Sequence, residues 1–385
     1  MSLQHVALGA WSGGRYLGYG EAITEERLEA LLRPGPDVAT IVTADAYGAG
    51  DADLVVGRAT AGLARGSFTL VGAVGHDFYD GEREGAKGYP RFTDARLRGP
   101  DDHASYLRRA TERSLERCGT DRFDLLLLHN PDRTGYTSEV VWDAMAALRD
   151  DGLADSIGIA PGPANGFTLD VIASLERFGD RIDWAMLILN PFEPWPGELA
   201  LAACAERDVG VIARVVDYGG VFFDDVRPGH AFAPRDHRLH RPGPWIERAT
   251  ERLEPARAIA ERHGLTLLQL AAQWDLAHPA VRCVAPTLIQ EIGPEARTIE
   301  SKRAELAATP RDVLLSHDEV AQLRALGDNK GSMLLKGATP DHDSDEVLAD
   351  RWPVDAELVA VGRRWGIDPE RDLRKRLPRV VPPAA

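Results

Sequence analysis

Short apolar runs alternate along most of the chain with longer stretches whose apolar positions recur every three to four residues. The runs are Val6–Trp11, Ile41–Ala44, Phe68–Val74, Asp124–His129, Ser156–Ala160, Trp184–Leu189, Val209–Val216 and Val281–Pro286. A strand covered on both faces reads as such a run, because neither face meets water. The four consecutive leucines within Asp124–His129 are the clearest case. The stretches between them follow the 3.6-residue period of an amphipathic helix. They are Glu25–Leu32, Asp51–Ala64, Ser105–Cys118, Ser138–Leu148, Leu169–Phe178, Glu198–Glu206, Ala249–His263 and Thr266–Ala277. Eight strands alternating with helices predict an α/β fold, a (β/α)8 TIM barrel. An open doubly wound sheet is the alternative. No GxGxxG follows any run, which counts against a dinucleotide-binding sheet of that kind. The expected division is a barrel over residues 1–326 and a C-terminal extension, 327–385, packed on the barrel, with a helical pattern from Val354 to Trp365.

Composition narrows the class. The chain has 385 residues, 44% hydrophobic and 27% charged, which suits a globular protein with a full-sized core. Its formal charge of −15 counts against nucleic acid as a partner, since that affinity rests on Lys and Arg neutralising phosphates. Only five of the 45 basic residues are lysines. Three distant cysteines, Cys118, Cys204 and Cys283, offer neither a disulfide framework nor a zinc-ligand spacing, so no metal site is expected. The first residues lack the basic and apolar parts of a signal peptide. No apolar run approaches the ~20 residues a membrane span needs. The expectation is a cytoplasmic protein with a small-molecule substrate and neither membrane nor nucleic-acid partner; the oligomeric state is open.

In a barrel, chemistry belongs at the C-terminal ends of the strands and in the loops that follow them. That rule singles out Asp45 and Tyr47 after the second run, His76 after the third, His129, Asn130 and Asp132 after the fourth, and Arg214, Asp217 and Tyr218 after the seventh. Each has a plainer reading. Tyr47 could be a hydrogen-bonded loop tyrosine, Asp45 a turn cap, His129 a satisfied core histidine, and Arg214 half of an internal pair with Asp217. Two long polar loops, Gly75–His103 and Asp217–Trp245, are expected to cover the mouth.

Thr43-Ala44-Asp45-Ala46-Tyr47-Gly48, followed by Asp51–Gly57 (DADLVVG), resembles the segment after the second strand of the aldo-keto reductase superfamily. The likeness continues through Ser114–His129 (SLERCGTDRFDLLLLH), Leu153–Ile159 (LADSIGI), Val209–Gly220 (VGVIARVVDYGG) and Leu265–Pro286 (LTLLQLAAQWDLAHPAVRCVAP), in the family's order. The resemblance implies a (β/α)8 barrel and carbonyl reduction with NADP or NAD. It implies that Tyr47 is the acid to the carbonyl oxygen and that His129 orients the carbonyl. The family's partners for that tyrosine, an Asp and a Lys, are replaced by Val42 and Ala73. The Ser-Asn pair after the fifth strand is Ala160-Pro161, the Gln of the sixth is Met186, and the basic cluster after the eighth reads Thr287-Leu288-Ile289-Gln290. The family's cofactor contacts therefore have no residue-by-residue match here.

The resulting expectation is an aldo-keto-reductase-like enzyme for a small polar carbonyl or sugar-type substrate, nominally an NAD(P)-linked oxidoreductase. The alternatives are a non-redox lyase, isomerase or hydrolase that moves protons with Tyr47 and His129 or His76 and needs no cofactor, and a non-catalytic barrel subunit. On either enzymatic reading, His129 or His76 is expected to titrate near pH 6–7 and activity to rise with pH through that range. Lys87 or Lys336 could fold back to replace the missing ammonium group.

Overall fold

The computed structural model describes residues 3–84, 88–162, 167–241, 244–327 and 354–373. The eight predicted runs are its strands: β1 (Leu8–Gly9), β2 (Thr40–Val42), β3 (Thr69–Val74), β4 (Phe123–His129), β5 (Ala154–Ala160), β6 (Trp184–Ile188), β7 (Gly210–Arg214) and β8 (Val281–Ala285). They lie in sequence order in one sheet, each parallel to its neighbour. The ends of the sheet meet through a parallel bridge between Val6 and Val284. Ala7 N–H donates to Val284 O and Val284 N–H donates to His5 O, each at 2.9 Å. The sheet is therefore a closed barrel with no edge to protect, and the open-sheet alternative falls.

The helices are α1 (Glu25–Leu32), α2 (Asp51–Thr60), α3 (His103–Cys118), α4 (Arg133–Thr137), α5 (Glu139–Asp150), α6 (Phe167–Phe178), α7 (Gly197–Glu206), α8 (Trp245–Arg262), α9 (Leu267–Leu276), α10 (Ile299–Ala307), α11 (His317–Leu326), α12 (Ala356–Arg364) and α13 (Pro369–Asp372). Their starts are chemically marked. Thr266 and Gln269 form a reciprocal capping box on α9, and Ser316 and Glu319 form another on α11. Helix α10 escapes a periodicity search because its buried face mixes Ile299 and Leu306 with Lys302 and Glu305. None of the described helices is long and apolar enough to cross a membrane.

Strand alternation sorts the core into two layers. Ile41, Leu70, Leu126, Leu128, Ile157 and Ile159 face outward under the helices. Val42, Val71, Ala73, Leu125, Leu127, Ala160, Met186, Ile212, Cys283 and Ala285 fill the lumen. The lumen is thus packed with small and medium apolar side chains, and the polar ends of the strands sit above it. All three cysteines are buried and free.

The described part of the C-terminal stretch lies on the outer helical layer. Helix α12 buries Leu358 and Val361. Trp365 Nε1 donates to Glu176 of α6 at 2.9 Å, and Arg133 of α4 pairs with Asp355 at 2.8 Å.

One glycine is dictated by close approach of strands. A Cβ on Gly158 of β5 would sit 2.3 Å from the carbonyl oxygen of Trp184 on β6. Backbone cannot give way cheaply inside a closed barrel. Gly158→Ala is expected to cost on the order of 1–3 kcal/mol, read as a lower denaturant midpoint with an unchanged slope. An unshifted midpoint would show that β5 and β6 can part there.

Candidate active site at the barrel mouth

The C-terminal strand ends enclose a cavity of about 320 Å³. Its wall is drawn from nearly every strand end: Trp11 after β1, Tyr47 after β2, His76 after β3, His129 and Asn130 at β4, Ala160 on β5, Met186 on β6, Arg214 on β7 and Thr287 after β8. Arg83 and Tyr89 come from the long loop after β3.

Four rings run edge to face along this wall. Trp11 and Tyr47 have centroids 6.3 Å apart, Tyr47 and His129 5.8 Å, and His129 and His76 5.0 Å. Each contact presents a ring edge to the next face, the favourable geometry for aromatic quadrupoles. The far ends are tethered. Trp11 Nε1 donates to Thr287 Oγ1 at 3.2 Å. His76 is held at Nε2 by the Asn130 side-chain amide, 3.1 Å away, and Nδ1 lies 3.1 Å from both Tyr89 O and an Arg91 guanidinium nitrogen. Arg91 Nε also donates to Asn130 O, and Asn130 takes φ +47°, a region asparagine tolerates better than most residues.

Burial sets the protonation states. Tyr47 has its phenol pushed up to about 12 by desolvation, opposed by the charge of Arg214. Desolvation drives the His76 imidazole down to about 3, with the Arg91 charge adding to it. His129 is held well below the usual imidazole range by burial and then by His76, Arg91 and Arg214; its Nδ1 is buried without a hydrogen-bond partner. The phenol and both imidazoles are therefore neutral at pH 7. This corrects the expectation of a histidine titrating near 6–7. The sequence shows two histidines at strand ends but not the shell of apolar groups and arginines around them.

Of the residues singled out by strand position, Tyr47, His76, His129, Asn130 and Arg214 line the cavity. Four others do not, each for a local reason. Asp45 is fully buried with both oxygens unbonded. Desolvation, and then the charge of Asp53, keeps its carboxyl well above the ordinary range. Asp132 caps α4, accepting from Gly135 N–H at 2.9 Å. Asp217 accepts from Thr287 N–H at 2.7 Å and Gly220 N–H at 3.0 Å, tying the loop after β7 to the loop after β8. It is not the partner of Arg214. Tyr218 is buried edge-on to Phe192 and Trp245. Sequence reasoning missed Tyr89 and Arg91, which reach the site only because the long loop bridges back through His76 and Arg91.

Val42 and Ala73 are both buried in the lumen layer. The two replacements belong together. A carboxylate or ammonium alone in this apolar column would be an uncompensated buried charge, costing about 3–5 kcal/mol. Lys302, the one lysine among the described residues, is fully buried, paired with Asp225 at 2.6 Å, and is not among the residues lining the cavity. Lys87 and Lys336 lie outside the described residues. No group of three or more His, Cys, Asp or Glu that could hold a metal ion occurs among the described residues.

A sequence model of the Aldo/keto reductase family matches residues 5–327. A 6-dehydroglucose reductase of Agrobacterium fabrum is 26% identical over 284 residues, covering 73% of this chain and 82% of that protein. A D-threo-aldose 1-dehydrogenase of Pseudomonas is 27% identical over 187 residues, 46% of this chain and 51% of that protein. Among solved structures, a glycerol dehydrogenase of Gluconobacter oxydans superposes with TM-score 0.63 at 19% identity, covering 89% of this chain and 95% of its own. An aldo/keto reductase of Klebsiella pneumoniae, solved with NADP and acetate, superposes with TM-score 0.56 at 23% identity, covering 84% and 91%.

The depressed imidazoles have a measurable consequence. Above about pH 6.5 His76 is neutral in both folded and unfolded chains, and its contribution to stability is fully present. As pH falls from there toward about 3, the unfolded chain takes up a proton that the folded chain refuses, so stability is lost. Denaturant titrations between pH 7 and 4 should show this loss, and His76→Gln should reduce it. Equal pH slopes for the two proteins would contradict the buried neutral imidazole.

Proposed function

The chain belongs to the aldo/keto reductase family, and from that premise we propose that it is an NADP-linked oxidoreductase acting on the carbonyl of a small sugar-type substrate. The observation that carries the reading is Tyr47 set edge-on to His129, 5.8 Å apart, at the C-terminal rim of a barrel whose residues 5–327 match the family. The sugar preference is supported by two relatives, named as a 6-dehydroglucose reductase and an aldose dehydrogenase.

The rim fits a nicotinamide ring through apolar contact. Ala160 and Met186 offer a flat apolar wall, and the Asn130 amide is the polar side chain beside it. A nicotinamide bound there would supply hydride to the substrate carbon. Tyr47 donates a hydrogen bond to the carbonyl oxygen and gives up its proton as charge develops on that oxygen. With its phenol near 12, Tyr47 is fully protonated at pH 7, the correct state for a donor. His129, neutral and locked between two rings, positions the carbonyl without adding charge. An imidazole held so far below neutrality is a weak base, which counts against proton-abstraction chemistry of the lyase or isomerase kind.

The grip on the cofactor is expected to be loose. No side-chain donor stands at Ala160 or Met186, and the segment after β8 carries no basic cluster. Its amides are already used, Thr287 N–H on Asp217 and Leu288 N–H on Ser12 Oγ at 3.1 Å. Fluorescence titration should give an NADPH dissociation constant above about 1 μM, equivalent to less than ~8 kcal/mol. Submicromolar binding would contradict this account of the rim.

Tyr47→Phe should reduce carbonyl-reduction turnover by about 10²-fold, the scale for losing one donor to a developing oxyanion. In the reverse direction, alcohol oxidation needs Tyr47 as phenolate. Its rate should climb roughly tenfold per pH unit up to at least pH 10, since the phenol lies near 12. A plateau near pH 8 would mean that a cation has rebuilt an activated tyrosine.

A further inference from the structure

Arg214 closes β7 and lines the cavity. A guanidinium carries five N–H donors. Here one is used, on Pro161 O at 3.0 Å, while Nε is buried without a partner. Among the described residues no carboxylate forms an ion pair with it. Several other arginines are treated differently in this chain. Arg98 is matched by Asp77 and Asp80, Arg117 by Asp53, and Arg238 by Asp236 and Glu291. The whole protein carries −15, yet no Asp or Glu is among the described residues lining the cavity, whose formal charges are those of Arg214 and Arg83. The nearby Tyr47, His76 and His129 are uncharged at neutral pH.

A half-buried guanidinium with no counter-ion and a buried, unbonded Nε is costly, and the cavity is the open side from which a partner could come. Its planar fork suits a carboxylate held by two parallel bonds. Building on the reading of a sugar-type carbonyl substrate, we infer that Arg214 binds a carboxylate carried by the substrate itself. The substrate class is then a sugar acid bearing a carbonyl, a uronic or keto-sugar acid, and not a neutral sugar. The carboxylate anchors at β7 while Tyr47, after β2, addresses the carbonyl, which fixes which end of the molecule is reduced.

The test compares D-glucuronate, its methyl ester and D-glucose on the full-length protein with NADPH, by kcat/KM and by calorimetric binding. Glucuronate is expected to be favoured over the ester and over glucose by about 10²-fold, the scale of a charge-assisted pair. Arg214→Met should lose that preference, and Arg214→Lys should keep part of it. The comparison of acid with ester needs no variant, so it stands even if Arg214→Met folds poorly. Equal use of acid, ester and glucose overturns the inference. So does an Arg214→Met protein that has lost NADPH affinity but keeps its preference for the acid, which would assign the guanidinium to the cofactor's phosphates. Tight, Arg214-dependent glucuronate binding without any turnover supports the anion site and instead defeats the oxidoreductase reading.

Discussion

Closure of β8 onto β1 through Val6 and Val284 seals a lumen into which water does not reach, and the placement of charge throughout the molecule follows from that seal. Inside, a charged side chain must either carry its partner with it or be absent. The tyrosine-activating pair of the family is a charged pair of this kind, and both members are missing together, leaving Val42 and Ala73 in a continuous apolar layer. Some of the charges that remain buried elsewhere take the other route. Lys302 keeps Asp225 beside it, and Arg238 keeps Asp236 and Glu291.

At the mouth the same dryness acts on protonation instead of composition. The rings of Trp11, Tyr47, His129 and His76 exclude water from one another, so the phenol holds its proton and the imidazoles refuse theirs. The result is a wall of neutral donors and acceptors with a cation at the end of β7. Electrostatically this is the reverse of the outer surface, where acidic residues dominate.

The fold was legible because a closed parallel barrel writes itself into sequence twice: as doubly buried strands and as one-faced helices. All eight runs became strands, and Glu25–Leu32 matches its helix residue for residue. Where polar residues sit on the buried face, as Lys302 and Glu305 do in α10, the period vanishes and so does the helix signal. The site was half legible. Strand ends identify Tyr47, His129 and Arg214, because topology alone puts them at the rim. Position after a strand cannot tell a lining residue from a strut, so Asp132 and Asp217 looked like ligand contacts while their carboxylates serve backbone amides. Protonation was not legible at all, since it depends on neighbours such as Arg91 that lie distant in sequence and join the site only through a loop contact.

The indole of Trp11 is held between Thr287 and the edge of Tyr47 on the cavity wall, folded over Gly9 so closely that a Cβ there would stand 2.2 Å from a ring atom. The binding site therefore carries its own chromophore, rigid and in contact with whatever enters. Occupancy of the mouth is written into the emission of this side chain. The difference between the native chain and a Trp11→Phe counterpart isolates that signal from the other seven tryptophans, so ligands that absorb no light of their own become visible.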